Sequence, residues 1–258
     1  MTIGMTGMAC DYPAATFKAS PNHNERLGVP GPDMIVLHYT GIPTAESAQD
    51  WLCREESQVS CHYLVYEDGR IDQLVAEDRR AWHAGKSLWK GESDLNSRSI
   101  GIEIANPGHP GGLPDYPSEQ VDAVAELCQF CVNRWPIPPE RVLAHSDIAP
   151  IRKVDPGENF PWKKLYEKGV GHWVAPAPIG GGRFFQRGDA GQPVEAVQSM
   201  LSLYGYGIEV TGEICERTHG VVEAFQRHFR PEKVDGIADI STLDTLHRLL
   251  GALPRFTR

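Results

Sequence analysis

No stretch of this chain is apolar for long enough to span a bilayer, so membrane insertion is not expected. Residues 1–20 lack the basic segment followed by an apolar core that marks a secretory signal. That lack points to the cytoplasm, with the periplasm or cell envelope as the alternative. Positive charge is in deficit as well: 25 Lys and Arg face 34 Asp and Glu, a net charge of −9. A chain of that sign is a poor match for a phosphate backbone, and no nucleic-acid partner is expected. Cysteine is sparse, with six in 258 residues, and nothing requires a disulfide between Cys53 and Cys61. Cys128 and Cys131 form a C-x-x-C, a spacing used by redox and metal sites. They recur with Val121, Val124, Val132 and Trp135 at helical spacing, which puts both thiols on the apolar face of one helix. What is present is ordinary for a globular chain: 41% hydrophobic and 23% charged, enough for one large domain or two smaller ones.

Chemistry-bearing residues concentrate between His145 and Asp155. An apolar run, Arg141-Val142-Leu143-Ala144, reads as a strand that delivers His145 at its end. Pro150, Pro156 and Gly157 mark the following stretch as a shaped loop rather than a helix, one that returns Asp155 to the same point. A catalytic zinc takes a third protein ligand and keeps one open position. His38 is the candidate, because it ends another apolar run, Met34-Ile35-Val36-Leu37, and two neighbouring strands would bring the imidazoles together. Two nitrogens completed by an oxygen suit Zn2+ better than Ca2+ or Mg2+. A lone histidine at a strand end more often only hydrogen-bonds there, and on spacing alone both readings stand. Ser99–Asn106 is a further strand, apolar apart from Glu103. A buried carboxylate needs a partner or a task. General base beside a metal would be such a task, and an exposed edge-strand position is the plainer alternative. Alternation sets Ile102 and Ile104 opposite Glu103, so the carboxylate can face a cleft while they face the core.

The remaining segments read more simply. Residues 1–30 are polar and punctuated by proline, an irregular lead-in. Thr44 can cap a helix that runs to Arg54. Cys61–Tyr66 and Ile71–Val75 form a hairpin about Asp68-Gly69, with His62 as a hydrogen-bonded core imidazole. Ala81-Trp82-His83-Ala84-Gly85 offers either a surface on which a ring can stack or packing beneath a loop. A Gly/Pro-rich loop over 107–117 leads to a helix from Ser118 to Trp135, stopped by Pro136-Ile137-Pro138-Pro139. Phe160-Pro161-Trp162 opens another helix, to Lys168.

The apolar-His38-Tyr39-Thr40 run, Ala81–Gly85, Ser99–Glu103, and His145–Pro150 continuing through Lys153-x-Asp155-Pro156-Gly157 to Phe160-Pro161-Trp162 together resemble the type 2 N-acetylmuramoyl-L-alanine amidase family. That family includes bacterial cell-wall-recycling and phage lysozyme-type amidases, and it is related to the peptidoglycan recognition proteins. The resemblance covers residues 31–170. It implies an α/β (α+β) fold, a mixed central β-sheet flanked by helices with a zinc groove on one face. It also implies one Zn2+ per chain held by His38, His145 and Asp155, with Glu103 activating the zinc-bound water and Lys153 stabilising the oxyanion. Trp82 and His83 fall in the motif that borders the substrate groove. The implied reaction is hydrolysis of the amide joining N-acetylmuramic acid, including its 1,6-anhydro form, to L-alanine. One residue departs from the pattern: phage members carry a tyrosine where this chain has Cys61, so Glu103 is expected to carry more of the work. The competing classes are a recognition protein that binds peptidoglycan without cutting it and a zinc peptidase acting within the stem peptide. The former typically lacks a zinc ligand, and all three are present here.

The last third is of another kind. Residues 171–183, with Pro176, Pro178 and Gly180-Gly181-Gly182, have linker composition. Within 184–258 a weak repeat follows: Val194-x-x-Val197-Gln198-x-x-Leu201 is echoed by Val222-x-x-Phe225-Gln226-x-x-Phe229, and Gly212-x5-Thr218 by Gly236-x5-Thr242. Helices are expected near 191–204, 218–229 and 241–251, with Thr218 and Thr242 as caps. Glu213, Glu216 and His219 read as solvated or capping groups. The pattern is similar to the peptidoglycan-binding-type module, a small three-helix unit, which implies contact with cell wall or its fragments. The sequence is silent on oligomeric state.

Overall fold

In the computed structural model, residues 10–253 are described. The first nine residues of the expected lead-in lie outside them. Residues 10–30 are less irregular than their composition suggests: β1 (Thr16–Phe17) and β2 (His23–Glu25) are short strands. Backbone pairing recruits them, since β1 runs parallel to β5 (Ile71–Gln73) and β2 antiparallel to β6 (Arg79–Ala81). Too few apolar residues lie there for periodicity to mark a strand.

The central sheet also contains β3 (Met34–Tyr39), β4 (Tyr63–Val65), β7 (Ser99–Ile104) and β8 (Val142–Ala144). Its order is β1-β5-β4-β7-β3-β8, and the β4–β5 pair is antiparallel, which makes the sheet mixed. Helices flank it: α1 (Ala45–Leu52), the single-turn α2 (Leu95–Arg98), α3 (Ser118–Arg134), α4 (His145–Ile148) and α5 (Trp162–Glu167). The mixed sheet and flanking helices match the expected fold class. Strand alternation divides the sheet into two faces. Ile35, Leu37, Ile100, Ile102 and Ile104 pack with the buried side of α3, Cys128 and Cys131 included. Burial pushes the Cys128 thiol up to about 12, so it is a core hydrophobe. All six cysteines are free thiols.

Met34, Val36 and Leu143 point to the other face, where they share a core with the C-terminal helices α6 (Gln192–Tyr204), α7 (Glu216–Phe229) and α8 (Ile240–Ala252). Trp89 is fully buried against Tyr204 and Tyr206, and Lys90 N–H donates to the Gly205 carbonyl at 2.8 Å. The stretch expected to be a linker is partly docked. His172 Nδ1 meets the Tyr204 hydroxyl at 2.8 Å, and Ala177 bonds both Thr245 and Ser241 on α8. A short pair, β9 (Phe184–Phe185) with β10 (Ala238–Asp239), then leads into the module.

The repeat has a structural meaning that differs from the expected caps. Cys215 and Asp239 occupy the cap positions, which leaves Thr218 and Thr242 in the first turn of each helix. There each hydroxyl accepts from a buried glutamine amide, Gln198 at 2.9 Å and Gln226 at 3.2 Å. The same glutamines accept from Thr211 and Gly212, and from Asp235 and Gly236. Each one plugs a turn whose backbone would otherwise be unpaired inside the module. Among the described residues, no helix is long and apolar enough to cross a membrane.

Candidate metal centre

The register of three parallel strands builds the site. His38 on β3 lies directly opposite Glu103 on β7, and Leu37 lies opposite Ala144, the last residue of β8. His145 comes next in the chain, so Glu103, His38 and His145 stand in a row at the carboxyl ends of neighbouring strands. This is where open α/β sheets place their ligands. The segment after β8 is not all loop, as its prolines suggested. His145–Ile148 makes one helical turn, because the Asp147 carboxylate accepts from Ala144 N–H at 2.8 Å and caps it. Beyond that turn the chain doubles back. Ser146 N–H donates to the Asp155 carbonyl at 3.0 Å, which returns the Asp155 side chain to His145.

His38 Nδ1 and His145 Nδ1 are 2.9 Å apart, and each is 3.0 Å from Asp155 Oδ2. All three residues are buried. Tetrahedral bonds of about 2.1 Å would separate donor atoms by about 3.4 Å, so this triangle accepts a metal ion with a small outward adjustment. The charge states also fit. Burial, reinforced by the neighbouring His145, lowers His38 to about 4, which leaves its ring neutral with a lone pair to give. Burial opposes ionisation of Asp155, but the two imidazoles outweigh it and hold the carboxyl below its ordinary range.

Around this triangle opens a groove of about 400 Å³ whose lining includes Glu103, Lys153, Trp82 and Trp51. Glu103 is half-buried as a residue, yet its Oε2 is buried with no hydrogen-bond partner. Burial raises its carboxyl pKa well above 4.5, Asp155 adds to the rise and Lys153 opposes it. The alternation argument holds, since Ile102 and Ile104 face the core behind it. Cys61 is fully buried, and burial followed by the Glu103 charge raises its thiol far above 9.0, so it offers no proton exchange near neutrality. His62 is a core imidazole, with Nδ1 accepting from Gly101 N–H at 2.9 Å.

Both residues expected along the groove border line it. Trp82 is half-exposed at the groove, its indole N–H donating to Asn24 at 2.9 Å. His83 is buried beneath His38, and both its ring nitrogens are occupied. Trp51 on α1, which sequence analysis does not single out, is 43% exposed and lines the groove. Its neighbours Ala45, Ala48 and Leu52 already fill the buried side of α1, and that crowding was the available signal.

Residues 28–158 match the N-acetylmuramoyl-L-alanine amidase family. The chain belongs to that family. Residues 190–246 match the putative peptidoglycan binding domain, in agreement with the resemblance of the C-terminal repeat. The chain is 37% identical to the N-acetylmuramoyl-L-alanine amidase AmiD of Escherichia coli over 231 residues, which cover 84% of this chain and 82% of AmiD. The structure of that AmiD in complex with anhydro-N-acetylmuramic acid-L-Ala-D-gamma-Glu-L-Lys superposes with a TM-score of 0.73 at 33% identity, covering 89% of this chain and 97% of that one. AmpDh3 of Pseudomonas aeruginosa gives a TM-score of 0.71 at 30% identity and covers 99% of this chain and 100% of its own. Like the other amidases of the family, the chain is a hydrolase of an amide bond.

Proposed function

We infer that this amidase cleaves the bond between the lactyl carbonyl of N-acetylmuramic acid and the amine of L-alanine, in soluble muropeptides released by cell-wall turnover. The observation that carries this reading is the row of Glu103, His38 and His145 at three strand ends, closed by Asp155 over one groove. The complex of the related AmiD with an anhydro-muramyl peptide supports the substrate class.

His38, His145 and Asp155 would hold a single Zn2+. A zinc ion there supplies Lewis acidity to a carbonyl oxygen and to water. Glu103 takes the proton of the attacking water and passes it to the leaving amine. Burial raises its affinity for a proton, which strengthens it as the acceptor in the first transfer. Lys153 brings an ammonium to the carbonyl oxygen as negative charge develops, an interaction typically worth about 3 kcal/mol in the transition state. Trp82 and Trp51 offer ring faces along the groove for the sugar and the stem peptide.

Mass spectrometry of products tests the reading. The zinc-loaded chain is incubated with a 1,6-anhydro muropeptide and, separately, with intact sacculi. Release of a stem peptide beginning with L-alanine is the expected result, from the soluble substrate first. Cleavage within the peptide would make the protein a peptidase, and retained binding without any product would make it a recognition protein. Either outcome overturns the assignment.

A further inference from the structure

Every imidazole that offers Nδ1 to a metal must carry its proton on Nε2, and something must hold it there. In the metal-free chain each Nδ1 also lies 3.0 Å from the Asp155 carboxylate, an acceptor, so the partners of Nε2 decide how readily each ring turns a lone pair to a metal. His145 Nε2 lies 3.1 Å from the Ala84 carbonyl, which can only accept, and 3.4 Å from the Arg152 guanidinium, which can only donate; the closer carbonyl favours a proton on Nε2 and leaves Nδ1 its lone pair. His38 is fixed through a longer chain. The Ser99 hydroxyl donates to the Leu95 carbonyl at 2.6 Å and is therefore left as an acceptor. His83 Nε2–H can donate to that oxygen at 3.1 Å. This leaves His83 Nδ1 as an acceptor 3.0 Å from His38 Nε2, so His38 donates there and its own Nδ1 turns a lone pair to the shared point.

We propose that the dipeptide His83-Ala84 is the device that sets the tautomers of both histidine ligands, the His83 ring acting on His38 and the Ala84 carbonyl on His145. The proposal rests on the metal reading above and gives His83, which lines the groove, a positioning role as well.

Three further features serve the same arrangement. The Asn96 side chain accepts from the backbone N–H groups of His83 and Ala84, at 3.0 and 2.8 Å, and anchors the dipeptide. A Cβ at Gly101 would overlap the His83 ring, so that glycine opens the slot the ring occupies. Ser99, Gly101 and Glu103 alternate along one face of β7, so one strand supplies the end of the relay, the room for it, and the groove carboxylate.

The test is zinc affinity of the full chain, measured by competition with a fluorescent chelator, together with 15N NMR of the imidazoles in the zinc-loaded protein. His83→Ala should weaken zinc binding by about 10–100-fold, the usual cost of losing such a partner. His83→Gln should recover most of that loss, because its carbonyl can accept from His38 while its amide donates to Ser99. Ser99→Ala, a small change with little risk to folding, should weaken zinc in the same direction. In the wild-type spectrum, His83 should carry its proton on Nε2, towards Ser99, and in Ser99→Ala it should become a mixture of tautomers. A purely structural His83 would lower the melting temperature without moving either readout. The proposal is overturned by folded His83→Ala with wild-type zinc affinity, by His83→Gln no better than His83→Ala, or by a proton on His83 Nδ1 in the zinc-loaded wild type. Failure of the wild type itself to bind zinc would instead take down the metal reading, and this proposal with it.

Discussion

The groove of the sheet half and the two turn-plugging glutamines of the C-terminal helical half both bury polar side chains, and they do so to opposite ends. In the helical half, Gln198 and Gln226 are fully buried, and each binds the turn it plugs through both ends of its amide. In the sheet half, Glu103 keeps a buried oxygen with no partner, and three donor atoms crowd around one point. Saturated polar groups hold a fold together, whereas unsaturated ones cost stability and are retained where chemistry needs them. The halves meet at Asp147. Its carboxylate accepts from Tyr206 at 2.7 Å and from His228 at 2.7 Å, both on the C-terminal side, two residues from His145. The C-terminal module is therefore also part of the support beneath the candidate metal centre.

The sharpest way to break this contrast is at Glu103. Glu103→Gln should lower turnover by about 100–10,000-fold while zinc content, read by elemental analysis, stays at the wild-type level. Near-normal turnover would return Glu103 to the status of an idle carboxylate. His145→Ala should lose the zinc itself, and full metal occupancy in that variant would remove His145 from the donor set.

At the junction, Tyr206→Phe removes one donor to a buried carboxylate. A loss of about 1.5–3 kcal/mol is expected, in a single thermal transition for the whole chain, because the two halves share a core. Two separate transitions would show that the halves fold independently and that the junction is incidental. Comparable in size should be the effect of Gln198→Ala and of Gln226→Ala, about 1–3 kcal/mol each. Turnover should be unchanged, since neither residue lines the groove. Similar losses from the two would confirm that the repeat is one device used twice.

The contrast also accounts for what could be read from the chain alone. The strands ending in His38 and His145, and the polar Glu103 within an apolar run, carry strong local signals. The buried face of α3 is legible for the same reason, and so are the three C-terminal helices. The support beneath the centre left no such signal. Ala84 acts through its backbone carbonyl, which no side-chain pattern reports. Ser99 and Gly101 matter because they share a strand face with Glu103 and receive a ring from a segment 16 residues away. Asp147 reads as one more loop carboxylate until Tyr206 and His228 arrive from a distant part of the chain. Thr218 and Thr242 were placed one turn too early, because a Thr near a helix start serves equally as cap or as first-turn acceptor.

The smallest expected effect probes the same contrast from the stability side. Glu103 is an acid whose proton affinity is higher in the folded chain than in the unfolded one, first because it is buried and next because Asp155 is near. The folded state therefore holds a proton that the unfolded state releases once pH rises above 4.5, the ordinary value for glutamate. Stability falls with pH across that window and stays lower above the raised value. Glutamine has no proton to release and no charge to desolvate. Metal-free Glu103→Gln should thus melt higher than the metal-free wild type near neutral pH, with the gap closing as pH falls towards 4.5. The variant with the largest loss of activity would then be more stable than the parent, as expected where an unsaturated group is kept for chemistry. If Glu103→Gln melted lower at every pH, the carboxylate would be a structural partner, and Glu103 would belong with Gln198 and Gln226.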